Sequence, residues 1–150
     1  MSIRHFGISF FVPDISATLF SLVFLAQGHM GEAYTTCSSI LTQLGETVPE
    51  AVSPETVGAL VKKTLKRYTE VYGDEWLGKK MKDTTLCYTM KFYTLIATAT
   101  YFSKSLHMVA YFIGKAVQLS LQHGVCICTP RALMIITSFA IRLDNAAFLR

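Results

Sequence analysis

Apolar residues recur at spacings of three and four along most of this chain, and short clusters of glycine, proline and small polar residues separate the periodic stretches. That pattern predicts a succession of helices. Asp14 or Ser16 can cap a first helix running to about Gln27, in which Leu19, Phe20, Val23, Phe24 and Leu25 cover more than one face, as in a helix buried on several sides. Gly28 stops it. A second helix, Met30 to Leu44, carries a single stripe through Ala33, Cys37, Ile40, Leu41 and Leu44, with Gly45 as its stop and Pro49 beyond. Ser53-Pro54-Glu55 combines a cap, a first-turn proline and a first-turn acid. It opens a third helix, ending at Gly73, whose apolar face holds Val57, Leu60, Val61, Leu65, Tyr68 and Tyr72.

Asp74 to Lys82 reads as a short helical turn around Trp76 and Leu77. Asp83 caps a fourth helix from Thr84 to about Phe102, Ser105 starts a fifth that ends at Gly124, and Thr129-Pro130 opens a sixth from Arg131 to about Leu143. The fourth and sixth are rich in β-branched and aromatic residues, which lowers their helix propensity. The expected fold is therefore all-α, with about six helices in antiparallel hairpins. Residues 1–13 form an irregular leading segment and residues 14–150 the helical domain. The irregular start and the abrupt end at Leu149-Arg150 lead us to expect a fragment or truncated product of a longer chain.

Composition narrows the class. The 150 residues are 51% hydrophobic and only 16% charged, with mean hydropathy +0.38, which excludes a disordered tail. The longest charge-free run, Ile15 to Gly31, contains Gln27, Gly28 and His29. Its greasy part is too short to span a bilayer, which takes about 20 apolar residues. Arg4 followed by apolar residues resembles a secretory leader, but Asp14 splits the apolar region and no small-x-small site precedes Gln27. Four cysteines without a disulfide framework suggest a reducing, cytoplasmic setting.

Chemistry-bearing residues are sparse. His123, Cys126 and Cys128 form H-x-x-C-x-C. Thiolate and imidazole suit zinc, yet C-x-C is tighter than the usual spacing and no fourth ligand lies near in sequence. Cys37 and Cys87 sit on apolar helical faces, where free cysteine behaves as a small hydrophobe. His5 and His107 have no evident partners. Lys62, Lys63, Lys66 and Arg67, followed by Lys79, Lys80 and Lys82, are the main charge feature of a chain whose net charge is +4. Such residues could meet phosphates, but on an amphipathic helix they ordinarily form the wet face. No catalytic motif, metal site or cofactor site is expected.

The stretch Ala17 to Gly45 resembles a tetratricopeptide helix pair, through Phe20, Phe24, the turn Gly28-His29-Met30-Gly31-Glu32, and then Ala33, Cys37 and Ile40. It departs from that repeat at Gly45, where a proline is usual, and at Ser21, where a glycine is common. The longer run through Leu44-Gly45-Glu46-Thr47-Val48-Pro49, then Met81-Lys82-Asp83, Met90-Lys91-Phe92-Tyr93 and Val117 to Gly124, is similar to the helical region of large predicted signalling ATPases. The likeness spans residues 17–142. It implies a tetratricopeptide-like α-solenoid fragment serving as an interaction or regulatory platform. ATP hydrolysis does not carry over, because no G-x-x-x-x-G-K-[ST] occurs: Gly114-Lys115 precedes Ala116, and Gly78-Lys79 precedes Lys80.

The expected function is accordingly non-enzymatic protein–protein interaction, in a signalling setting implied by the resemblance. The partner would be another protein, the remainder of a larger chain, or a second copy. His29, Tyr34, Lys62 and Lys66 are the candidate contact residues. The alternatives are a small basic nucleic-acid-binding protein and a membrane-associated helical protein. The first and last helices lack the polar outer face of a capping repeat, so oligomerisation or poor solubility is expected of the isolated chain.

Overall fold

The computed structural model describes residues 15–103 and 105–148, with side chains from 21–102 and 105–142. The irregular segment expected at 1–13, the Asp14 cap and His5 lie outside the described residues. Seven helices follow one another: α1 (Ile15–Ala26), α2 (Met30–Gln43), α3 (Pro54–Val71), α4 (Asp74–Gly78), α5 (Thr84–Ser103), α6 (Leu106–His123) and α7 (Thr129–Phe148). The protein is all-α among the described residues. The expected helical turn around Trp76 is the short α4. The last helix is longer than expected, starting two residues earlier and continuing past Leu143 to Phe148.

The start and stop chemistry is mostly that written in the sequence. The Ser53 side chain accepts from Thr56 N at 3.2 Å with Pro54 in the first turn. Asp83 Oδ1 accepts from Thr85 N at 2.8 Å and Leu86 N at 3.3 Å. Ser105 Oγ accepts from Met108 N at 3.4 Å. Each satisfies amides that the first turn of a helix leaves unpaired. At the end of α2, Gly45 takes φ +88°, letting Glu46 N reach Leu41 O at 2.9 Å and Gly45 N reach Thr42 O at 3.1 Å. This is a left-handed helix stop that a side chain would strain.

The buried threonines of α5 show how a β-branched sequence remains helical. Thr89 Oγ1 donates to Thr85 O at 2.9 Å and Thr94 Oγ1 to Lys91 O at 2.8 Å. The hydroxyls are satisfied within the helix, and the remaining surface of α5 is free to pack.

Packing is centred on α5 and α6, which fold back on each other and share the most extensive interface in the chain. α2 lies against α5, α3 and α7 lie against α6, and α1 lies against α2. Helices adjacent in sequence are thus not always adjacent in space: α2 and α3 meet only marginally. The core runs through Ile40 and Leu41 of α2, Val57 and Val61 of α3, Met90, Phe92, Tyr93 and Ile96 of α5, Phe112, Ile113 and Val117 of α6, and Ala132 and Ile136 of α7. Close approach of α3 to α6 uses Gly114, where a Cβ would sit 3.0 Å from Leu60 Cδ2.

A second anchoring region closes one end of the molecule. Trp76, buried, donates its indole N–H to Ser120 O at 3.0 Å. Ser120 Oγ meets Thr129 Oγ1 at 2.9 Å and donates to Gly124 O at 2.9 Å, tying the end of α6 to the start of α7. The preceding α4–α5 linker is zipped to the same corner, with Val125 N donating to Lys79 O at 2.7 Å and Met81 N to Val125 O at 2.9 Å. Trp76→Phe retains most of the ring and removes one buried hydrogen bond. It should lower stability by about 1 kcal/mol in urea unfolding followed by circular dichroism.

Candidate functional site

An apolar groove lies where the C-terminal turns of α5, the first turns of α6 and the middle of α7 meet. Its walls are Ala97 and Thr98 of α5, Val109 of α6, and Ile135 and Phe139 of α7, enclosing about 360 Å³. Tyr101 and Phe102 stand at the mouth with rings 5.0 Å apart, edge to face. Phe102 is 65% exposed and Leu106 44%, so large apolar side chains face water beside a groove that is itself apolar. Arg131 and Arg142 of α7 border it, giving an oily floor and a cationic rim.

The local sequence explains this groove. Ile96, Ala97, Ala99 and Thr100 in the last turns of α5 are buried, whereas Tyr101 and Phe102, which follow them, are 59% and 65% exposed. Met134 and Ile141 of α7 are also exposed, as are Leu22 and Val23 of α1. On α7 the exposed residues also include Arg131, Thr137, Ser138 and Arg142, so its outer face is mixed.

The four contact residues expected from the sequence fall in two separate places. His29 is exposed in the α1–α2 turn, 3.6 Å from Glu32 through Nδ1. Tyr34 is half-buried, its ring 6.4 Å from Phe112 in an edge-on arrangement, and burial followed by the Glu50 charge pushes its hydroxyl pKa up. Its ring packs into the core rather than presenting a free contact face. Lys62 and Lys66 are exposed on α3. Lys66 borders an open cleft of about 1030 Å³ between α3, α4 and α6 that it shares with Lys63, Arg67 and Lys79. Glu70 and Glu75 line the same cleft, and Arg67 pairs with Glu70 at 3.3 Å, so its positive field is partly cancelled. The sequence reading did not single out the Tyr101–Phe102–Leu106 groove as a site. The available signal was the pair of large aromatics closing a helix already apolar all round.

A second cluster joins residues far apart in sequence. Cys87 of α5 and the loop cysteines Cys126 and Cys128 line one cleft of about 750 Å³, with Met81, Tyr88 and Lys91. Cys126 is close enough to both other thiols to act on them electrostatically. Burial raises the pKa of Cys87 and of Cys128, and the neighbouring Cys126 adds to both shifts. His123, the histidine of H-x-x-C-x-C, does not line this cleft. Among the described residues no group of three His, Cys, Asp or Glu side chains is arranged to hold a metal ion. Cys37 is fully buried in the α1–α2 seam, donates to Ser21 Oγ at 3.5 Å, and has a thiol pKa raised to about 11, chiefly by burial. That thiol is a packing element rather than a nucleophile.

Among the described residues the protein is all-helical, with an apolar groove at α5–α6–α7 and a separate thiol cleft, and no helix is long and apolar enough to cross a membrane. Comparison with protein-family models, with curated proteins and with solved structures gave no match.

Proposed function

We propose that this protein is a non-enzymatic interaction module that receives an amphipathic helix of a partner protein in the α5–α6–α7 groove. The observation that carries this reading is the exposure of Tyr101, Phe102 and Leu106 around an apolar concavity rimmed by two arginines. Grooves between helices accept a partner helix through apolar residues spaced i, i+3, i+4 and i+7. Aromatic anchors contribute most to such contacts. Arg131 and Arg142 favour carboxylates flanking the apolar stripe. The tetratricopeptide-like part of the reading attaches to the α1–α2 hairpin, whose seam passes through Ser21, Ala33 and Cys37. A signalling setting remains part of the proposal through the resemblance of residues 17–142 alone.

The test is selection from a displayed library of amphipathic helical peptides that differ in flank charge. Peptides with an apolar stripe and acidic flanks should be enriched, and Leu106→Asp should weaken their binding about tenfold or more. Lys66→Glu, on the distant α3 cleft, should leave it unchanged. Enrichment that ignores flank charge, or binding indifferent to Leu106→Asp, would overturn the proposal.

A further inference from the structure

We propose that Cys126 and Cys128 form a dithiol site that closes to an intramolecular disulfide on exchange with a low-molecular-weight disulfide, with Cys87 as the alternative partner of Cys126. The sequence places two of these residues in one loop and the third on a helix. The fold brings the third alongside, because the Lys79–Met81 backbone is zipped to Val125 by two hydrogen bonds of 2.7 and 2.9 Å. That zipper sets the loop 126–128 against the first turns of α5, where Cys87 faces the same cleft.

Loop geometry suits ring closure. Thr129 N donates to Cys126 O at 3.1 Å, closing a tight turn over Cys126-Ile127-Cys128-Thr129. Two residues apart, the Cα atoms can be separated by at most about 7 Å when fully extended, and a turn shortens this into the range of about 4.4–6.8 Å that a disulfide requires. Thr129 fixes the first cysteine, its Oγ1 accepting from Cys126 N at 3.0 Å and lying 3.7 Å from Cys126 Sγ. Ile127 between them is 95% exposed. The loop crest therefore stands in water, and a small disulfide can reach it.

The exchange balances without a further reactant. The Cys126 thiolate attacks one sulfur of the small disulfide RSSR, forming a mixed disulfide and releasing one thiolate RS⁻. The Cys128 thiolate then attacks Cys126 Sγ, forming the Cys126–Cys128 bond and releasing the second RS⁻. The two protons given up by the cysteines end on the two released thiolates. The protein pair is oxidised by two electrons and RSSR is reduced to two RSH. Burial and then the neighbouring Cys126 raise the Cys128 pKa, against the opposing Thr94 hydroxyl and Lys91 charge, so exchange should quicken as the medium becomes mildly alkaline.

The test uses the full chain, reduced and then incubated with oxidised glutathione at mildly alkaline pH, followed by alkylation and peptide mapping. Trypsin leaves both loop cysteines in one peptide between Lys115 and Arg131. The expected product is that peptide unalkylated and lighter by two hydrogen atoms, with Cys37 and Cys87 alkylated. Cys128→Ser should redirect the link to Cys87–Cys126, and Cys126→Ser should leave only alkylated thiols. Full alkylation of Cys126 and Cys128 in the wild-type chain, persistent glutathione adducts on them, or only intermolecular links would each overturn the proposal. The wild-type map decides the matter even if a variant fails to fold.

Discussion

Phe112→Ala should destabilise the protein by about 3–5 kcal/mol, the range for truncating a buried aromatic to alanine. Phe112 is fully buried on α6. Its ring contacts Tyr111 at 5.6 Å, Tyr93 at 6.3 Å and Tyr34 at 6.4 Å between centroids, so one side chain joins α2, α5 and α6. These neighbours cannot all collapse into the vacated space. Tyr93 is held by its hydroxyl, which donates to Glu46 Oε2 at 2.6 Å. Burial and that carboxylate both raise the Tyr93 pKa, which keeps the hydroxyl a donor across the working pH range. With Tyr93 fixed, the site is left as a cavity, and the loss should fall near the upper end of the range. Equilibrium urea unfolding read by Trp76 fluorescence measures it. A fall in Tm of about 10 °C or more should accompany it in a chain of this size. A change below about 1 kcal/mol would show that α5–α6 is not the stabilising centre of the fold.

The helices themselves were legible because local chemistry and packing demand agree along this chain. Ser53-Pro54-Glu55, Asp83 and Ser105 cap the helices they were expected to open, and Gly45 and Gly124 stop those they were expected to close. The two extra residues at the start of α7 are not expected because Pro130 reads as a boundary, while in the structure it lies inside the first turn, where its missing N–H costs nothing. The order of packing was not legible. Periodicity tells which face of α2 or α3 is apolar, but not that α2 covers α5 and α3 covers α6. That choice depends on the path of the 44–53 connection and on the match of facing side chains.

The sites divide along the same line. The charge on α3 could be read from its spacing, but the arrival of Lys79 in the same cleft and the pairing of Arg67 with Glu70 could not. The thiol cleft is half visible in the sequence: H-x-x-C-x-C is set aside as a metal site for want of a fourth ligand, and Cys87 reads as a residue on an apolar helical face. The contact that unites them runs through backbone hydrogen bonds between two loops 45 residues apart, Lys80 with Val125, and backbone pairing leaves no trace in residue type. Gly124 is the one residue whose identity records it.

Gly124→Ala should therefore cost about 3 kcal/mol or more and act first on that corner. Gly124 adopts φ 112° and ψ −178°, a region reached almost only by glycine and costing about 1–3 kcal/mol for other residues. An alanine Cβ would also stand 2.6 Å from Lys79 O and 3.1 Å from both Lys80 C and Met81 N. All three are backbone atoms that cannot turn aside as a side chain would. Relief requires the loop to part from the α4–α5 linker, and with it the Val125–Lys79 and Met81–Val125 hydrogen bonds. Hydrogen exchange should then show the Met81 and Val125 amides losing protection ahead of α5 and α6. Gly58→Ala is the matched control: it lies within α3 with open space around its Cβ position and should gain about 0.5–1 kcal/mol from helix propensity. If Gly124→Ala were as benign as Gly58→Ala, the loop would not be held against Lys79, and the arrangement that brings Cys126 and Cys128 to Cys87 would lose its support.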